Sequence, residues 1–595
     1  MNSKVLLINS TFYGFLIQRF GFRRWLNLLI PVLVLFNFPQ ILLSQSLPDS
    51  LKMGQVLVQQ DKISGNFGEF RSNHFHSGID YKTGEKEGLP VFAAADGYVS
   101  RVKISAVGYG RAVYITHPDN IVTVYGHLRI YYAALEDTIR KLQFSKQDYE
   151  VELFPDSGLM LIRKGELIGY SGNTGGSEGP HLHFETRHAQ SEKPFNPVAM
   201  GYSVVDTVPP LIKALAVYNP GPEDGLAGAT RQIINIAEGK SGLIEDTLLT
   251  GARFFVGIET YDKAGVEENQ IGIHSWNMFF DDSLIFSASI DSFSFSETRM
   301  VNATIDYPWQ QDSGQKIILC HALKGNKLSF LENKNGMVLL NDFKLHKVVV
   351  KVMDNVGNFS ETGCHIMQNP DAIKTAGVPE GTLCLYEKAQ KIISKNYRID
   401  ISPQSFYEDI RLVSTEKLPH TDKVKNETVL NAPIISIKPA GIPIQDPIVI
   451  AIKPDIKKSV LQSQLIAVLI DSTGRMQGFK STFEKGWIVF KTRTLGDFSV
   501  TLDTIPPLMK TPVWEADDFT GKKRLILGLE SDLSGIASYK CYINDVWVPA
   551  VLATNRIIIY PEDLPETAEP INLKVILIDG AGNETTANLV TYASK

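Results

Sequence analysis

The chain has 595 residues, of which 44% are hydrophobic and 21% charged, the composition of an ordinary globular protein. At about 100–200 residues per domain, this length predicts roughly three to five domains. A formal net charge of −6 gives no electrostatic basis for binding a polyanion, which excludes nucleic acid as a partner.

The first 45 residues have the pattern of a targeting segment. Arg23 and Arg24 precede an apolar run from Trp25 to Leu43, and small and polar residues follow. This order predicts a signal peptide over residues 1–45. An uncleaved anchor is the alternative, since the run is nearly long enough to span a bilayer, although asparagines and prolines interrupt it. We expect an exported protein of the periplasm, cell envelope or extracellular space, with no transmembrane segment once the signal is removed.

The cysteines do not form a disulfide framework, because they are few for so long a chain and none belongs to a CxxC pair. We expect buried free thiols, or at most one disulfide, among Cys320, Cys364, Cys384 and Cys541.

Residues 52–205 predict a compact, mostly antiparallel β domain, sheet-like or barrel-like. Short runs rich in Val, Ile, Tyr and Phe alternate there with turn signals. Asp96-Gly97 between the runs Pro90–Ala95 and Tyr98–Val107 is a strong hairpin signal.

One segment of this region, Tyr131–Phe144, has the periodicity of a helix. Leu135, Ile139 and Leu142 recur at a spacing that places them on one helical face. Two roles are open for this helix: it packs on the sheet as an addition, or it shapes one wall of a cleft.

After residue 206 the signals are those of β-sandwiches. Asp206-Thr-Val-Pro-Pro210 and Asp503-Thr-Ile-Pro-Pro507 are near copies, placed where a stiff linker would enter a new domain. Together with a Gly- and Pro-containing stretch near 376–381, they predict an immunoglobulin-like sandwich over 206–371, a β-sandwich over 377–503 and an immunoglobulin-like sandwich over 504–595. Such folds alone indicate no function.

A β-rich run that ends in Asp-x-x-Gly recurs four times after residue 206. Asp can accept hydrogen bonds from the following backbone amides and Gly takes the positive-φ position, so each run predicts a strand and a tight turn. A calcium site is the alternative, but one carboxylate per turn supplies too few oxygen ligands. The four runs are Phe254–Gly265, Val348–Gly357, Leu465–Gly474 and Leu573–Gly582.

Histidines concentrate in the N-terminal β region, where seven of the twelve fall between His74 and His188. Packing alone would not cluster them in about a fifth of the chain, and histidine is the commonest metal ligand. His127 follows the predicted strand Ile121–Tyr125, where a loop would present it to a cleft. Taken alone, His127 would more often be a surface histidine.

Two segments supply residues in the pattern of a metal site. His181, His183 and Glu185 alternate along an extended segment and therefore share a face, and His76 and Asp80 are also an even number of residues apart. These two, with one of the paired histidines, make three ligands and leave a fourth tetrahedral position for water, as in catalytic zinc sites. His74 has a looser spacing to the aspartate, and we treat it as a neighbour.

At this point the chain resembles the lysostaphin-type (LytM-like) zinc endopeptidases of bacterial cell walls. The resemblance covers roughly Gly65 to Asn196 and rests on several ordered motifs. These motifs are His76-x-x-x-Asp80, Ala95-Asp96-Gly97, Gly108-Tyr109-Gly110, Tyr125-Gly126-His127-Leu128, Lys164-Gly165-Glu166-x-Ile168-Gly169, Gly172-Asn173-Thr174-Gly175 and Gly179-Pro180-His181-Leu182-His183-Phe184.

The resemblance implies an open cleft over a β-sheet, one Zn²⁺ per chain held by His76, Asp80 and His183, and catalytic roles for His127 and His181. It implies hydrolysis of peptide cross-links of peptidoglycan through a zinc-activated water. The excursion over 130–163 and the sandwich-rich C-terminal part depart from the family pattern. The sandwiches are candidate sites for protein partners.

Two other functions fit the same sequence. The first is a non-catalytic cell-wall-binding or regulatory protein that keeps the fold without catalysis, although relatives of that kind lose metal ligands and every position is filled here. The second is an adhesion or assembly scaffold whose main function lies in the sandwiches and which trims the wall locally.

Overall fold

The computed structural model describes residues 53–58, 60–202, 205–237, 242–263, 269–333, 335–369, 380–424, 427–457, 461–530, 533–566 and 569–592. The predicted signal peptide over residues 1–45 lies outside these ranges. Within them, no helix has the length and apolar character needed to cross a membrane. The described chain is built mainly from β-strands, as the sequence predicts.

Residues 53–202, here called the N-terminal region, carry short strands and one α-helix, α1 (Ala133–Lys146). The strands are β1 Ile63–Gly65, β2 Phe70–Arg71, β3 His74–Phe75, β4 Ile79–Lys82, β5 Pro90–Phe92, β6 Gly97–Ile104, β7 Arg111–His117, β8 Ile121–Gly126, β9 Leu128–Tyr131, β10 Val151–Leu153, β11 Leu161–Ile162, β12 Leu167–Ser171, β13 His181–His188 and β14 Pro194–Phe195.

One large sheet organises the N-terminal region, with strands in the order β1-β4-β13-β8-β7-β6-β10. β11 also pairs with β6, and β14 pairs with β13. A smaller sheet has the order β5-β12-β9, and β2 pairs with β3 as a hairpin. The pairings along both sheets are antiparallel, which confirms the predicted strand arrangement.

The predicted hairpin at Asp96-Gly97 is wrong. β5 pairs with β12 in the small sheet, whereas β6 pairs with β7 in the large one. The dipeptide therefore marks a crossing between two sheets. A tight-turn signal fixes the local change of direction but not the strand that the chain pairs with afterwards.

The helical periodicity is confirmed, since Leu135 and Ile139 on α1 are fully buried in the core of the N-terminal region. The opposite side of α1 meets the C-terminal end of the chain, where Phe144 packs edge-on against Trp547 and Arg140 pairs with Asp563. The structure has an open cleft beside His127 and His181, and the described residues that line it include none from α1. The helix thus joins two parts of the molecule, and its predicted alternative as a cleft wall is wrong.

Residues 205–369, the first β-region, form two six-stranded sheets around a shared apolar core. One sheet consists of Thr230–Asn235, Leu211–Asn219, Arg253–Lys263, Gln270–Ile271, Ile317–Leu319 and Val338–Leu339. The other consists of Gly242–Thr250, Phe359–Gln368, His346–Met353, Ser275–Phe280, Ser283–Ser289 and Leu331–Asn333. A short helix, Tyr307–Ser313, lies between strands.

Residues 380–502, the second β-region, form a seven-stranded and a five-stranded sheet. The seven strands are Thr382–Cys384, Ile410–Val424, Glu427–Lys438, Asp497–Leu502, Leu465–Ile470, Met476–Phe479 and Asp455–Ile456. The five are Gln390–Ile393, Tyr397–Ile401, Ile448–Ile452, Trp487–Thr492 and Ser481–Glu484.

Residues 508–592, the third β-region, form a five-stranded and a four-stranded sheet. The five strands are Leu508–Met509, Lys523–Glu530, Arg556–Ile559, Val551–Ala553 and Val513–Ala516. The four are Val546–Trp547, Ile536–Ile543, Ile571–Asp579 and Glu584–Thr591.

The predicted turns at Asp354, Asp471 and Asp579 are confirmed. Each carboxylate accepts a hydrogen bond from a backbone N–H two residues ahead. The glycines that follow take positive φ, for example 101° at Gly357. The fourth predicted turn ends at Gly265, which lies outside the described residues. All four cysteines are buried free thiols, as the sequence predicts.

The hairpin β2–β3 anchors the N-terminal region in the first β-region. Phe70 and Phe75 from the hairpin are buried in the core of the first β-region. There Phe70 packs against Trp276, and Phe75 packs against Phe330. The backbone N–H of Phe75 donates to the Thr298 hydroxyl at 2.8 Å. Because His76 follows directly, apolar packing in one region fixes the position of a candidate site residue in the other.

We predict that Phe75→Ala destabilises both regions together, because it empties a fully enclosed aromatic position. A truncation of this kind costs about 3–5 kcal/mol. Denaturant unfolding followed by tryptophan fluorescence should show a lower midpoint, since Trp276 lies in the same core. Phe343→Ala is the matched control, because Phe343 is 56% exposed. Equal midpoints for Phe75→Ala and the control would contradict this account of the anchor.

Candidate metal centre

The position of β13 in the large sheet brings two distant segments together. β13 lies between β4 and β8, and His183 is opposite Asp80 on one side and Gly126 on the other. His127 follows Gly126 directly. The register alone therefore gathers the predicted site residues at one end of three neighbouring strands.

Three side-chain atoms converge on one point at this end of the sheet. His76 Nε2 lies 3.0 Å from Asp80 Oδ1 and 3.0 Å from His183 Nδ1, and Asp80 Oδ1 lies 2.8 Å from His183 Nδ1. All three residues are at least 96% buried. This set of two imidazoles and one carboxylate has the composition and the spacing needed to hold a metal ion.

Hydrogen bonds on the far sides of the two imidazoles fix their orientation. His76 Nδ1 lies 2.7 Å from the Asn66 carbonyl oxygen, and since a carbonyl can only accept, the proton is on Nδ1. His183 Nε2 lies 2.8 Å from Glu185 Oε1 in the same relation. Each ring thus directs its other nitrogen at the convergence point, as metal-binding histidines do.

Glu185 is completely buried and is the acceptor of a dense network. Its Oε2 accepts from Arg187 Nε at 2.5 Å, and its Oε1 accepts from Tyr109 at 2.7 Å and Ser77 at 2.5 Å. Burial disfavours the carboxylate, but the positive charges of Arg187 and His183 hold the pKa of Glu185 well below its ordinary value. The residue is therefore ionised and holds His183 in place.

Asp80 has a second partner that the sequence did not indicate. Arg71 Nη2 lies 2.5 Å from Asp80 Oδ2, which leaves Oδ1 facing the two histidines. Burial disfavours ionisation of Asp80, but the neighbouring histidines hold the pKa of this carboxyl well below its ordinary value. Arg71 lies on the hairpin β2–β3, and no spacing rule links that position to Asp80.

His127 occupies a constrained backbone position between β8 and β9. Its φ is 57°, which non-glycine residues rarely adopt. Its backbone N–H donates to the Tyr109 carbonyl at 2.8 Å, and Nδ1–H donates to the Thr174 carbonyl at 2.7 Å. Burial lowers the pKa of His127 to about 3, so the ring is neutral at pH 7 with an acceptor nitrogen at Nε2.

His181 presents a second imidazole nitrogen beside Asp80. Its Nδ1–H donates to the Gly179 carbonyl at 2.8 Å, which leaves Nε2 as an acceptor. That Nε2 atom is buried, has no hydrogen-bond partner and lies 3.5 Å from Asp80 Oδ1. The His127 and His181 rings are 4.6 Å apart between centroids. The two histidines thus form a pair next to the three converging atoms.

Two glycines allow the loop that fixes His127 to reach it. A Cβ on Gly175 would lie 2.3 Å from the Gly110 backbone nitrogen, and a Cβ on Gly110 would lie 2.4 Å from Thr174. Side chains at either position would push the two backbones apart. The close crossing places the Thr174 carbonyl where His127 can donate to it.

The centre opens into a cleft of about 1210 Å³. His127, His181 and Asp80 line it, and so do Asn269 and Lys316 from the first β-region. The contribution of Lys316 has no sequence signal, because it comes from more than 200 residues away. His74 is exposed on the cleft rim and its Nδ1 bonds to the Ser72 carbonyl, which agrees with its place as a neighbour of the site.

The donor set fits zinc. In a tetrahedral site with bonds of about 2.0–2.1 Å, ligand atoms lie about 3.3 Å apart. The three converging atoms are 2.8 to 3.0 Å apart, close enough to surround one ion of that size. Beside them, His181 Nε2 is buried and has no hydrogen-bond partner. Buried polar atoms normally have a partner, so this atom is consistent with a site that binds a further group.

Comparisons with known proteins agree with this geometry. The profile of peptidase family M23 matches residues 74–144 and 160–197, which include β3 to β9, most of α1, and β11 to β14. The expected departure over 130–163 is therefore too wide, since the match leaves only residues 145–159 out. A Zu5-like domain profile matches residues 381–503, the second β-region.

Curated relatives match the same N-terminal region. The "DD-carboxypeptidase/endopeptidase Mpg" of Neisseria meningitidis serogroup B is 38% identical over 125 residues, which are 21% of this chain and 22% of that protein. The "Peptidoglycan DD-endopeptidase ShyC" of Vibrio cholerae is 29% identical over 130 residues, 21% of this chain and 24% of that protein. The chain thus matches about a fifth to a quarter of the length of these relatives.

Two solved structures are also similar to this region. The catalytic domain of lysostaphin from Staphylococcus simulans is 23% identical and covers 24% of this chain and 92% of its own, with a TM-score of 0.19. A mutant catalytic domain of the prophage-encoded M23 protein EnpA from Enterococcus faecalis is 27% identical and covers 23% and 88%, with a TM-score of 0.18.

The fold and site of the N-terminal region define a metallopeptidase-type domain with a two-histidine, one-carboxylate centre. This domain is a member of peptidase family M23, in its lysostaphin-type (LytM-like) group, as the ordered motifs indicate.

We predict a pH-dependent stability contribution from Glu185. Its folded pKa lies below the unfolded value of about 4.3, so the contribution is complete above that pH and is lost as the pH falls further. Glu185→Gln removes the buried counter-charge of Arg187 and leaves only the exposed Glu192 at 3.6 Å, which costs about 3–5 kcal/mol near neutral pH. In the presence of a chelator, the unfolding midpoint of wild type should be higher than that of the variant. This difference should narrow below pH 4.

Glu361→Gln serves as the matched control, because Glu361 is exposed on the strand Phe359–Gln368. It should leave the midpoint unchanged at every pH. A gap for Glu185→Gln that stays constant down to pH 3 would contradict the assignment of an ionised, charge-paired Glu185.

Proposed function

We propose that the chain is a zinc-dependent endopeptidase that hydrolyses peptide cross-links of peptidoglycan. The observation that carries the proposal is the convergence of His76 Nε2, Asp80 Oδ1 and His183 Nδ1 within 3.0 Å of one another at the base of an open cleft. Each ring nitrogen is directed there by a hydrogen bond on the opposite side of its ring.

The substrate class is supported by the relatives. Proteins named for DD-endopeptidase or DD-carboxypeptidase activity match 125 to 130 residues of this chain. The apolar run after Arg24 supports export to the cell envelope, where peptidoglycan lies. The cleft is open and mixed in charge, since Arg71, Lys316, Glu69 and Glu178 all line it, as befits a peptide that carries both charge signs.

His76, Asp80 and His183 would hold one zinc ion. When bound, zinc would supply Lewis-acid chemistry, polarising the scissile carbonyl and lowering the pKa of a bound water to about 7. The protein keeps the ligand atoms in position through Asn66 on one histidine and Glu185 on the other. The ion pair of Asp80 Oδ2 with Arg71 leaves Oδ1 as the one oxygen that faces the two histidines.

His127 and His181 handle the protons. Both rings have their Nδ1–H bonded to a backbone carbonyl, so in its neutral form each ring has an acceptor nitrogen at Nε2. A neutral imidazole within reach of the attacking water can accept its proton, a contribution worth about 10²–10⁴-fold. The imidazolium that results can donate a hydrogen bond to the negatively charged oxygen of the intermediate. Their position beside Asp80 places this chemistry at the edge of the ligand set.

We predict that alanine variants distinguish the metal ligands from the proton-transfer histidines. His183→Ala and Asp80→Ala should lose both bound zinc and the release of peptides from purified peptidoglycan, because each removes a ligand. His181→Ala should keep stoichiometric zinc and lose about 10²–10⁴-fold in rate. Zinc is measured by elemental analysis and the released peptides by mass spectrometry across several cross-link types.

His188→Ala is the matched control, since His188 is exposed at the far end of β13. It should keep both zinc and activity. Full zinc retention in His183→Ala would refute the ligand assignment. Wild-type protein that binds zinc and wall but releases no peptides would refute catalysis and favour the non-catalytic wall-binding alternative.

We also predict that zinc uptake releases protons. Burial by itself would lower the pKa of His183, but hydrogen bonds to Asp80 and Glu185 raise it to about 9 in the metal-free protein. His76, whose pKa burial lowers to about 4, is already neutral at pH 7. Zinc must therefore displace one proton, from His183.

Calorimetry at pH 6.0, below the pKa of about 7 of a zinc-bound water, in buffers of different ionisation enthalpy should show about one proton released per zinc. Apparent affinity should rise about tenfold per pH unit between pH 5 and 6.5. Buffer-independent binding enthalpies at pH 6.0 would contradict the protonated state of His183.

A further inference from the structure

Three carboxylates meet at the junction between the N-terminal region and the first β-region. Asp206 lies in the connection between the two, Asp262 on the strand Arg253–Lys263, and Asp354 directly after the strand His346–Met353. One oxygen of each lies within 4.8 Å of the others. They come from three separate segments, so their approach is a product of the tertiary fold.

Among the three carboxylates, the burial of Asp262 needs a physical explanation. It is 2% exposed, and its Oδ1 is buried without any hydrogen-bond partner. Among the described residues, the charges that act on it are those of Asp206 and Asp354, both acidic. Burial raises the pKa of Asp262 to about 8, and the two neighbouring carboxylates add to the rise. An unpartnered oxygen aimed into a group of like charges is costly unless a cation sits there.

The other two carboxylates are held by their surroundings and have acceptor capacity left. Asp354 Oδ1 accepts from the backbone N–H groups of Val356, Gly357 and Asn358 at 2.7 to 3.0 Å, and Oδ2 accepts from the Asn358 amide at 2.8 Å. Asp206 Oδ1 accepts from a backbone N–H at 2.9 Å. Each carboxylate oxygen has two lone pairs, so Asp354 keeps acceptor capacity at Oδ2, which takes one hydrogen bond, and Asp206 keeps it at both oxygens. Both residues can therefore bind a cation without giving up these bonds.

We propose that Asp206, Asp262 and Asp354 bind a calcium ion. Calcium takes oxygen ligands at 2.3–2.6 Å, so opposite ligands lie about 4.6–5.2 Å apart, and oxygens within 4.8 Å of one another fit one such shell. The absence of nitrogen and sulfur ligands from the cluster disfavours zinc. A small cavity of about 30 Å³ beside the cluster is lined by Asn196 and Asn355 and offers room for waters that complete the shell.

The ion would join the parts of the chain that support the metal centre. The cavity is also lined by Asn66 and Ile79 of the N-terminal region. Asn66 bonds to Gly272 of the first β-region through both its amide and its carbonyl side-chain atoms, and its backbone carbonyl holds His76. A cation at the junction would hold this region rigid. The inference does not depend on the proposed peptidase activity.

The test uses the full chain with zinc bound, titrated with calcium chloride and followed by calorimetry and thermal unfolding. Wild type should bind one calcium, and its unfolding midpoint should rise with calcium concentration. Asp262→Asn should abolish this response. Without calcium, the same variant should unfold at an equal or higher temperature than wild type, because an amide at this buried position cannot ionise beside Asp206 and Asp354.

Asp206→Asn is the second variant, because Asp206 is only half buried and a substitution there should not prevent folding. This variant should weaken calcium binding at least tenfold. Asp312→Asn, on the exposed side of the helix Tyr307–Ser313, is the matched control and should respond as wild type does. No calcium response in wild type, or one that persists in Asp262→Asn, would overturn the proposal. An equal midpoint shift with magnesium would overturn the assignment to calcium.

Discussion

The register of one strand is the constraint on which the metal centre depends. β13 is held between β4 and β8, and that pairing puts His183 opposite Asp80 and next to the turn that carries His127. A slip by one residue would turn His183 to the other face of the sheet, where the core side chains Leu182 and Phe184 now pack. The buried apolar face therefore protects the register, and the register assembles the site.

Burying a carboxylate and several imidazoles costs free energy unless each polar atom has a partner. The structure meets that cost with backbone carbonyls on His76, His127 and His181 and with carboxylates on His183. The same bonds set the tautomer of each ring. His181 and His183, two residues apart on one strand, thus present different nitrogens to the site because their outer partners differ: Glu185 bonds Nε2 of His183, and the Gly179 carbonyl bonds Nδ1 of His181.

Much of the site could be predicted from the sequence, because even spacing along extended segments places side chains on one face. That rule finds His76 with Asp80 and His181 with His183, and the motifs add His127. Contacts between distant segments left no such signal. Arg71 and Lys316 reach the centre through packing of the hairpin β2–β3 on the first β-region, and Asp96-Gly97 joins two sheets where local turn chemistry favours a hairpin. The sequence likewise offers only one carboxylate per Asp-x-x-Gly turn, whereas the fold brings Asp206, Asp262 and Asp354 from three segments together.

The most direct test of the central claim is anomalous diffraction at the zinc edge from crystals of the wild-type protein grown with zinc. The account predicts an anomalous peak within bonding distance of His76 Nε2, Asp80 Oδ1 and His183 Nδ1, with His127 and His181 outside that distance. A peak bonded to His181 or His127 in place of His183, or no peak at this end of the sheet, would contradict it.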